Sequence, residues 1–169
     1  MKTLTIVRHA KAAAPEEYEN DFDRPLTPRG FKDAKHMAEV LLKLEPPVDW
    51  IISSPAVRAH ATAEQLATGL TFAKQNIAWS DAVYLADANT LLTVLSEAPQ
   101  DIEHIALVGH NPGMEELVAG LCTGAPPHLN LTMPTAALAH LHLEIFWWNQ
   151  IRWGCGQLQL LVTPKALKK

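Results

Sequence analysis

Four side chains stand where a phosphoryl group could be held and attacked. Arg8 and His9 end an apolar run that begins at Thr3. His110, with Asn111 beside it, ends a second such run in the stretch Gly109-His110-Asn111-Pro112. Arg58 follows Ser53-Ser54-Pro55 and falls in the first turn of an expected helix. Arginine presents a planar fork of donors that pairs with phosphate oxygens and keeps its charge at any working pH. A histidine ring nitrogen can attack phosphorus and form a covalent phosphohistidine that water then hydrolyses. A second histidine can donate hydrogen bonds to the charge that builds on the equatorial oxygens. Helix N-termini expected near Ser54 and Asn111 add free N–H groups and partial positive charge. Gly109 is expected to let the backbone come close to a ligand.

Those residues converge only if the chain builds a sheet that aligns the strand ends. Thr3–Arg8, Val48–Ser53 and Ile105–Gly109 are short continuous apolar runs, as in strands covered on both faces of a parallel sheet. Each leads into a polar residue plus proline and then a helical pattern: Thr27-Pro28 before Phe31 to Leu42, Ser54-Pro55 before Val57 to Leu70, and Asn111-Pro112 before Met114 to Leu121. Residues 89–97 read as a shorter helix after a possible strand near Ile77–Tyr84. The alternation from Ala136 to Ile145 predicts a half-exposed antiparallel strand at a sheet edge, with Gly156 to Val162 as its hairpin partner. Ala12–Asp23 and Gly124–Pro134 read as loops, and no linker divides the chain, so residues 1–169 are expected to form one α/β domain. In open α/β sheets ligands bind outside the carboxyl ends of the strands, where Arg8, His9, Arg58 and His110 would meet.

Arg8-His9, the run Ser54-Pro55-x-x-Arg58-Ala59-x-x-Thr62-Ala63 and Gly109-His110-Asn111-Pro112 together resemble the histidine phosphatase superfamily. Asp23-Arg24-Pro25-Leu26-Thr27-x-Arg29-Gly30 is similar to the loop-to-helix segment of its short SixA-type phosphohistidine phosphatase branch. The resemblance runs from residue 3 to about residue 120 and implies a three-layer α/β/α sandwich of phosphoglycerate mutase-like fold, mainly parallel with an antiparallel edge. It implies His9 as the phosphate acceptor, with Arg8, Arg58 and His110 forming the phosphate pocket, and neither cofactor nor metal. The superfamily's usual Arg-His-Gly reads Arg-His-Ala here, at Ala10, as is common in the short branch. Where many members carry an acidic residue that protonates the leaving group, this chain reads Tyr84-Leu85-Ala86; Asp81 and Asp87 are nearby.

The missing acid bears on the substrate. Expelling an alcohol means expelling a group whose conjugate acid has a pKa of about 15.7, which is slow without a proton donor. An imidazole titrates near ~6.5 and can leave as a neutral ring. Phosphohistidine is therefore favoured over sugar or glycerate phosphates. The short run from Arg58 to His110 leaves little chain for a lid, so the site should admit a histidine displayed on another protein. The resemblance implies histidine-containing phosphotransfer domains as such partners. Two other readings stay open: a small-molecule phosphatase or mutase that recruits Asp81 or Asp87 as acid, and a non-catalytic module that only binds a phospho-ligand.

Composition narrows the field. The 169 residues carry a net charge of −4, with 48% apolar and 19% charged residues, which excludes disorder and the basic face that extended nucleic acid requires. No apolar run approaches the roughly 18 residues of a membrane helix, and no signal-peptide pattern opens the chain, so it reads as cytoplasmic. Cys122 and Cys155, without ligand spacing, read as buried or half-buried thiols. His140, His142 and Glu144 share a strand face that could bind a metal but reads as solvated. His60 should point away from Arg58, and His36, His104 and His128 carry no motif. Glu16, Glu17, Glu19, Asp21 and Asp23 read as a solvated loop that could steer a basic partner, and Trp147, Trp148 and Trp153 as core or edge-covering aromatics.

Overall fold

In the computed structural model, which describes residues 1–126 and 129–168, the continuous apolar runs form a six-stranded sheet with the order β3-β2-β4-β1-β5-β6. Strands β1 (Lys2–Arg8), β2 (Trp50–Ser53), β3 (Ala78–Trp79) and β4 (His104–Gly109) run parallel, whereas β5 (Leu138–Leu143) and β6 (Gly156–Val162) add an antiparallel pair beyond β1. Successive side chains along β1 serve two cores. Leu4 and Ile6 pack with Leu91, Leu95, Met114 and Leu117 from helices α3 (Ala88–Ser96) and α4 (Gly113–Thr123). Val7 packs on the other face with Ala34, Met37, Ala59 and Ala63 from α1 (Pro28–Leu41) and α2 (Val57–Leu70). Two helices on each face of the sheet make the expected three-layer sandwich. No helix among the described residues is long and apolar enough to cross a membrane.

Several local expectations change. The start signal at Thr27-Pro28 holds: Thr27 caps α1 by accepting from the Gly30 N–H, and Pro28 opens the first turn. The other two proline pairs supply no side-chain cap. Helix α2 starts at Val57 with Ala56 as N-cap, and α4 starts at Gly113 behind Pro112; Ser54 and Asn111 spend their side chains elsewhere in the cleft. β5 is an interior strand, buried along nearly its whole length, and β6 is the exposed edge. Alternation marks the two faces of a strand but does not reveal whether both are covered.

The reading of His140 as solvated is corrected for the same reason. Its Nδ1 lies 2.8 Å from Thr5 Oγ1, which also sits 2.8 Å from His104 Nε2, while His104 Nδ1 donates to the Pro46 carbonyl. The carbonyl only accepts, so the chain of bonds is satisfied with both rings neutral. Burial pushes His140 down to about 4. No group of three or more metal-ligating side chains occurs among the described residues. The run near Ile77–Tyr84 is a two-residue strand followed by a helical turn at Asp81–Val83. His60 stacks on Trp79, Trp148 is fully buried, Trp147 is exposed, and Cys122 and Cys155 are free thiols, one half-buried and one buried. His128 and part of the loop expected at Gly124–Pro134 lie outside the described residues.

Candidate active site

Parallel pairing of β1 with β4 puts Arg8 opposite Gly109, so the residues that follow, His9 and His110, leave the sheet side by side. The His9 N–H donates to the Gly109 carbonyl at 2.9 Å, and the ring centroids are 5.1 Å apart. Strand β2 runs alongside β4 and feeds Ser53, Ser54 and α2, whose first turn brings Arg58 over the same two rings. Thr62, one turn further along α2, fixes the joint: its hydroxyl accepts from the Ala10 N–H and donates to the Arg58 carbonyl. Arg8, His9, Arg58, His110 and Asn111 all line one cleft of about 550 Å³ at the carboxyl end of the sheet.

The hydrogen bonds assign the protons. His9 Nδ1 donates to the Ala10 carbonyl at 2.8 Å, so Nε2 carries the lone pair, and it accepts from Arg58 Nε at 3.3 Å. Arg58 Nη2 donates to His110 Nδ1 at 3.2 Å, which leaves His110 Nε2 to donate to Ser54 Oγ at 2.8 Å. Burial, with Arg58, Arg8 and Arg24 close by, pushes His9 down to about 4. Burial first, then repulsion from His9 when that ring is protonated and from Arg58, push His110 down to about 3. Both rings are therefore neutral near pH 7, and His9 offers an unprotonated Nε2 beside a guanidinium.

Arg8 anchors one end of its guanidinium by donating from Nη1 to the Met133 carbonyl, while its Nε is buried without a partner. Burial lowers Arg8 below the usual arginine value, and Glu115 opposes that shift. Asn111 Nδ2 donates to Glu115 Oε1 and to the Met133 carbonyl, leaving Oδ1 without a partner. Arg8 Nε and Asn111 Oδ1 are thus a buried donor and a buried acceptor left without partners beside one cationic cleft. Lys11 and Arg24 add two more cations to the wall. An anion seated here would meet several donors at once, at a nitrogen able to attack it.

Sequence reasoning missed or misread four features. Asp21, read as solvated, accepts from Arg58 Nη2 at 2.8 Å and from the Tyr84 hydroxyl at 2.7 Å. Glu115 carried no motif, yet it holds Asn111 and the Met133 N–H. Gly109 leaves room for the core, not for a ligand: a Cβ there would meet the Met114 side chain at 2.7 Å. Arg24 was visible only within a motif. Leu85 lines the cleft as expected for the position lacking an acid, exposed and with φ of 50°. Asp87 caps α3 through the Thr90 N–H instead, and neither it nor Asp81 lines the cleft.

Comparison with known proteins bears on the family and the fold. The model of the histidine phosphatase superfamily (branch 1) matches residues 4–79, a span that includes Arg8, His9 and Arg58. An uncharacterized protein of Picosynechococcus sp. is 30% identical over 177 residues, covering 97% of this chain and 98% of the relative. The phosphohistidine phosphatase SixA of Escherichia coli is 26% identical over 140 residues, covering 82% and 84% respectively. The solved structure of a protein from Nakamurella multipartitia, proposed to be a phosphohistidine phosphatase SixA, superposes with a TM-score of 0.82 at 26% identity over 96% of each chain. The chain belongs to the histidine phosphatase superfamily.

Proposed function

We propose that this protein is a phosphohistidine phosphatase that works through a covalent phosphohistidine on His9 and takes its phosphoryl group from a histidine displayed on a partner protein. In the first step His9 Nε2 attacks phosphorus, and the bond to the partner's imidazole breaks with its electron pair returning to that ring. In the second step water attacks the phospho-His9 phosphorus, releasing inorganic phosphate and restoring Nε2. Arg8 and Arg58 hold the equatorial oxygens, and Asn111, tied to Glu115 and the Met133 carbonyl, forms part of the wall of the same substrate site. His110 lies against the nucleophile, and the negative charge of a bound phosphoryl group favours a proton on its ring, which then donates to that group.

The observation that carries this reading is the character of the cleft wall. No carboxylate is among the residues that line it, and Leu85, which does line it, stands where the resemblance puts the acid of many superfamily members. Asp21, which holds Arg58 beside the cleft, stays ionised and has no proton to donate. Against its own desolvation, hydrogen bonds from Tyr84, Arg58 and Arg24 hold it well below the usual carboxylate range. A leaving group that needs little protonation, an imidazole, fits such a site; an alkoxide does not. Histidine-containing phosphotransfer domains, as two-component signalling partners, present such an imidazole.

The test compares turnover of a phosphohistidine protein with that of an alkyl phosphate under one set of conditions. The proposal expects the phosphoramidate to be turned over at least a hundredfold faster. Equal rates would refute it and return the protein to the small-ester phosphatases of its superfamily.

A further inference from the structure

Asp21 sits in the acidic stretch between β1 and α1, in a helical turn at Asp21–Asp23 with no buried residue of its own. Its carboxylate is 41% exposed, yet it reaches a guanidinium whose side chain is only 3% exposed. Oδ2 accepts from Arg58 Nη2 at 2.8 Å and from the Tyr84 hydroxyl at 2.7 Å, Oδ1 accepts from Arg24 Nη1 at 2.8 Å, and the Asp21 carbonyl accepts from Arg58 Nη1 at 2.7 Å. The same guanidinium faces the histidines with its remaining donors, Nε at 3.3 Å from His9 Nε2 and Nη2 at 3.2 Å from His110 Nδ1. Tyr84 closes the arrangement with its ring, edge-on to both Phe22 and His110.

A guanidinium is planar, so fixing one edge fixes the direction of the other. We propose that Asp21 is a positioning residue: it grips Arg58 through Nη1 and Nη2 and thereby aims Nε and Nη2 at the space between His9 and His110 where the phosphoryl group is held. The inference rests on the reading of that space as the phosphate site. Tyr84 orients the carboxylate, and the bond to Arg24 ties a second cation of the cleft wall to the same anchor. The carboxylate also sets a negative charge beside the cationic pocket, so it costs some phosphate affinity while it supplies orientation. Those two effects separate in an experiment, because a misaimed fork slows the chemistry whereas a lost carboxylate tightens oxyanion binding.

The variants are Asp21→Ala, Asp21→Glu and Tyr84→Phe, checked for unchanged urea midpoints. The readouts are exchange protection of the Arg58 Nε–H by NMR, kcat with an aryl phosphate, and inhibition by inorganic phosphate. In Asp21→Ala the Arg58 Nε–H should lose protection and kcat should fall ten- to a hundredfold, with phosphate inhibiting as well as before or better. Asp21→Glu should recover part of the loss, and Tyr84→Phe should lose less than Asp21→Ala. Unchanged Arg58 protection in Asp21→Ala would overturn the proposal, as would phosphate inhibition weakening in step with kcat. If wild-type protein forms no phospho-His9 but Arg58 still loses protection in Asp21→Ala, the failure lies in the reading of His9, and Asp21 keeps its role.

Discussion

Lowering the pH perturbs the one property of His9 on which nucleophilic attack depends, the free lone pair on Nε2. The ring is buried at the floor of the cleft, with Arg58 Nε 3.3 Å away and Arg8 and Arg24 close by. Its only opposing contact is the bond from Nδ1 to the Ala10 carbonyl. Burial first and the arginines second bring His9 to about 4 from an ordinary value near 6.5. A proton on Nε2 therefore costs about 3 kcal/mol more here than on a free imidazole. At pH 5.5 about 3% of His9 would be protonated, against about 90% of an ordinary histidine. An NMR titration of protein labelled with ¹⁵N-histidine, assigned with a His9→Gln variant, reads this directly. His9 should stay neutral, with its proton on Nδ1, from pH 8 to below pH 5. Arg58→Gln should raise the midpoint without restoring the ordinary value, since the larger cause, burial, remains. A wild-type midpoint at pH 6 or above would refute the electrostatic reasoning.

A carboxylate installed at Leu85 faces the cleft, so Leu85→Glu should raise hydrolysis of an alkyl phosphate ten- to a hundredfold. No gain would mean that position 85 does not reach the leaving group. At Gly30 a Cβ would collide with the Lys11 carbonyl oxygen, which accepts from the Thr27 N–H, so Gly30→Ala should push the start of α1 away from the cleft wall. It should cost about 1–3 kcal/mol in urea unfolding, and a midpoint equal to wild type would contradict the contact. His9, His110 and His140 are all lowered in the folded protein, to about 4, 3 and 4. As pH falls from about 6.5 toward 4 the unfolded chain gains protons that the folded chain refuses, so stability should be level above pH 7 and fall across that window. His140→Gln should lose about 1–2 kcal/mol less than wild type between pH 7 and pH 5, and identical pH dependence would count against the burial of that ring.

The parts of the site legible in the sequence are those that local rules place. A strand ends where its apolar run ends, and two parallel neighbours bring their ends to one edge, which is why Arg8, His9, His110 and Asn111 were found together. Arg58 followed because it belongs to the first turn after β2. Asp21 was not legible, because its neighbours have the composition of a solvated loop and its partner Arg58 lies 37 positions along the chain. Only the docking of that loop on α2 and Tyr84 makes the pair. The layering of the sheet followed from continuous apolar runs and the pairing of β5 with β6 from their neighbouring runs, while the burial of β5 did not: its period of two says nothing of what covers its second face. The buried His140 was hidden for the same reason, since its partner is a threonine on the neighbouring strand.

The central claim is that the phosphoryl group passes through His9. Rapid quenching of the protein into alkali during turnover of a ³²P-labelled phosphohistidine protein, followed by mapping of the label, tests it most directly. An acid-labile, alkali-stable label on His9 that forms and decays no more slowly than turnover, and is absent from His9→Ala along with activity, is the expected result. Turnover without any label on His9, or substantial activity in His9→Ala, would contradict it.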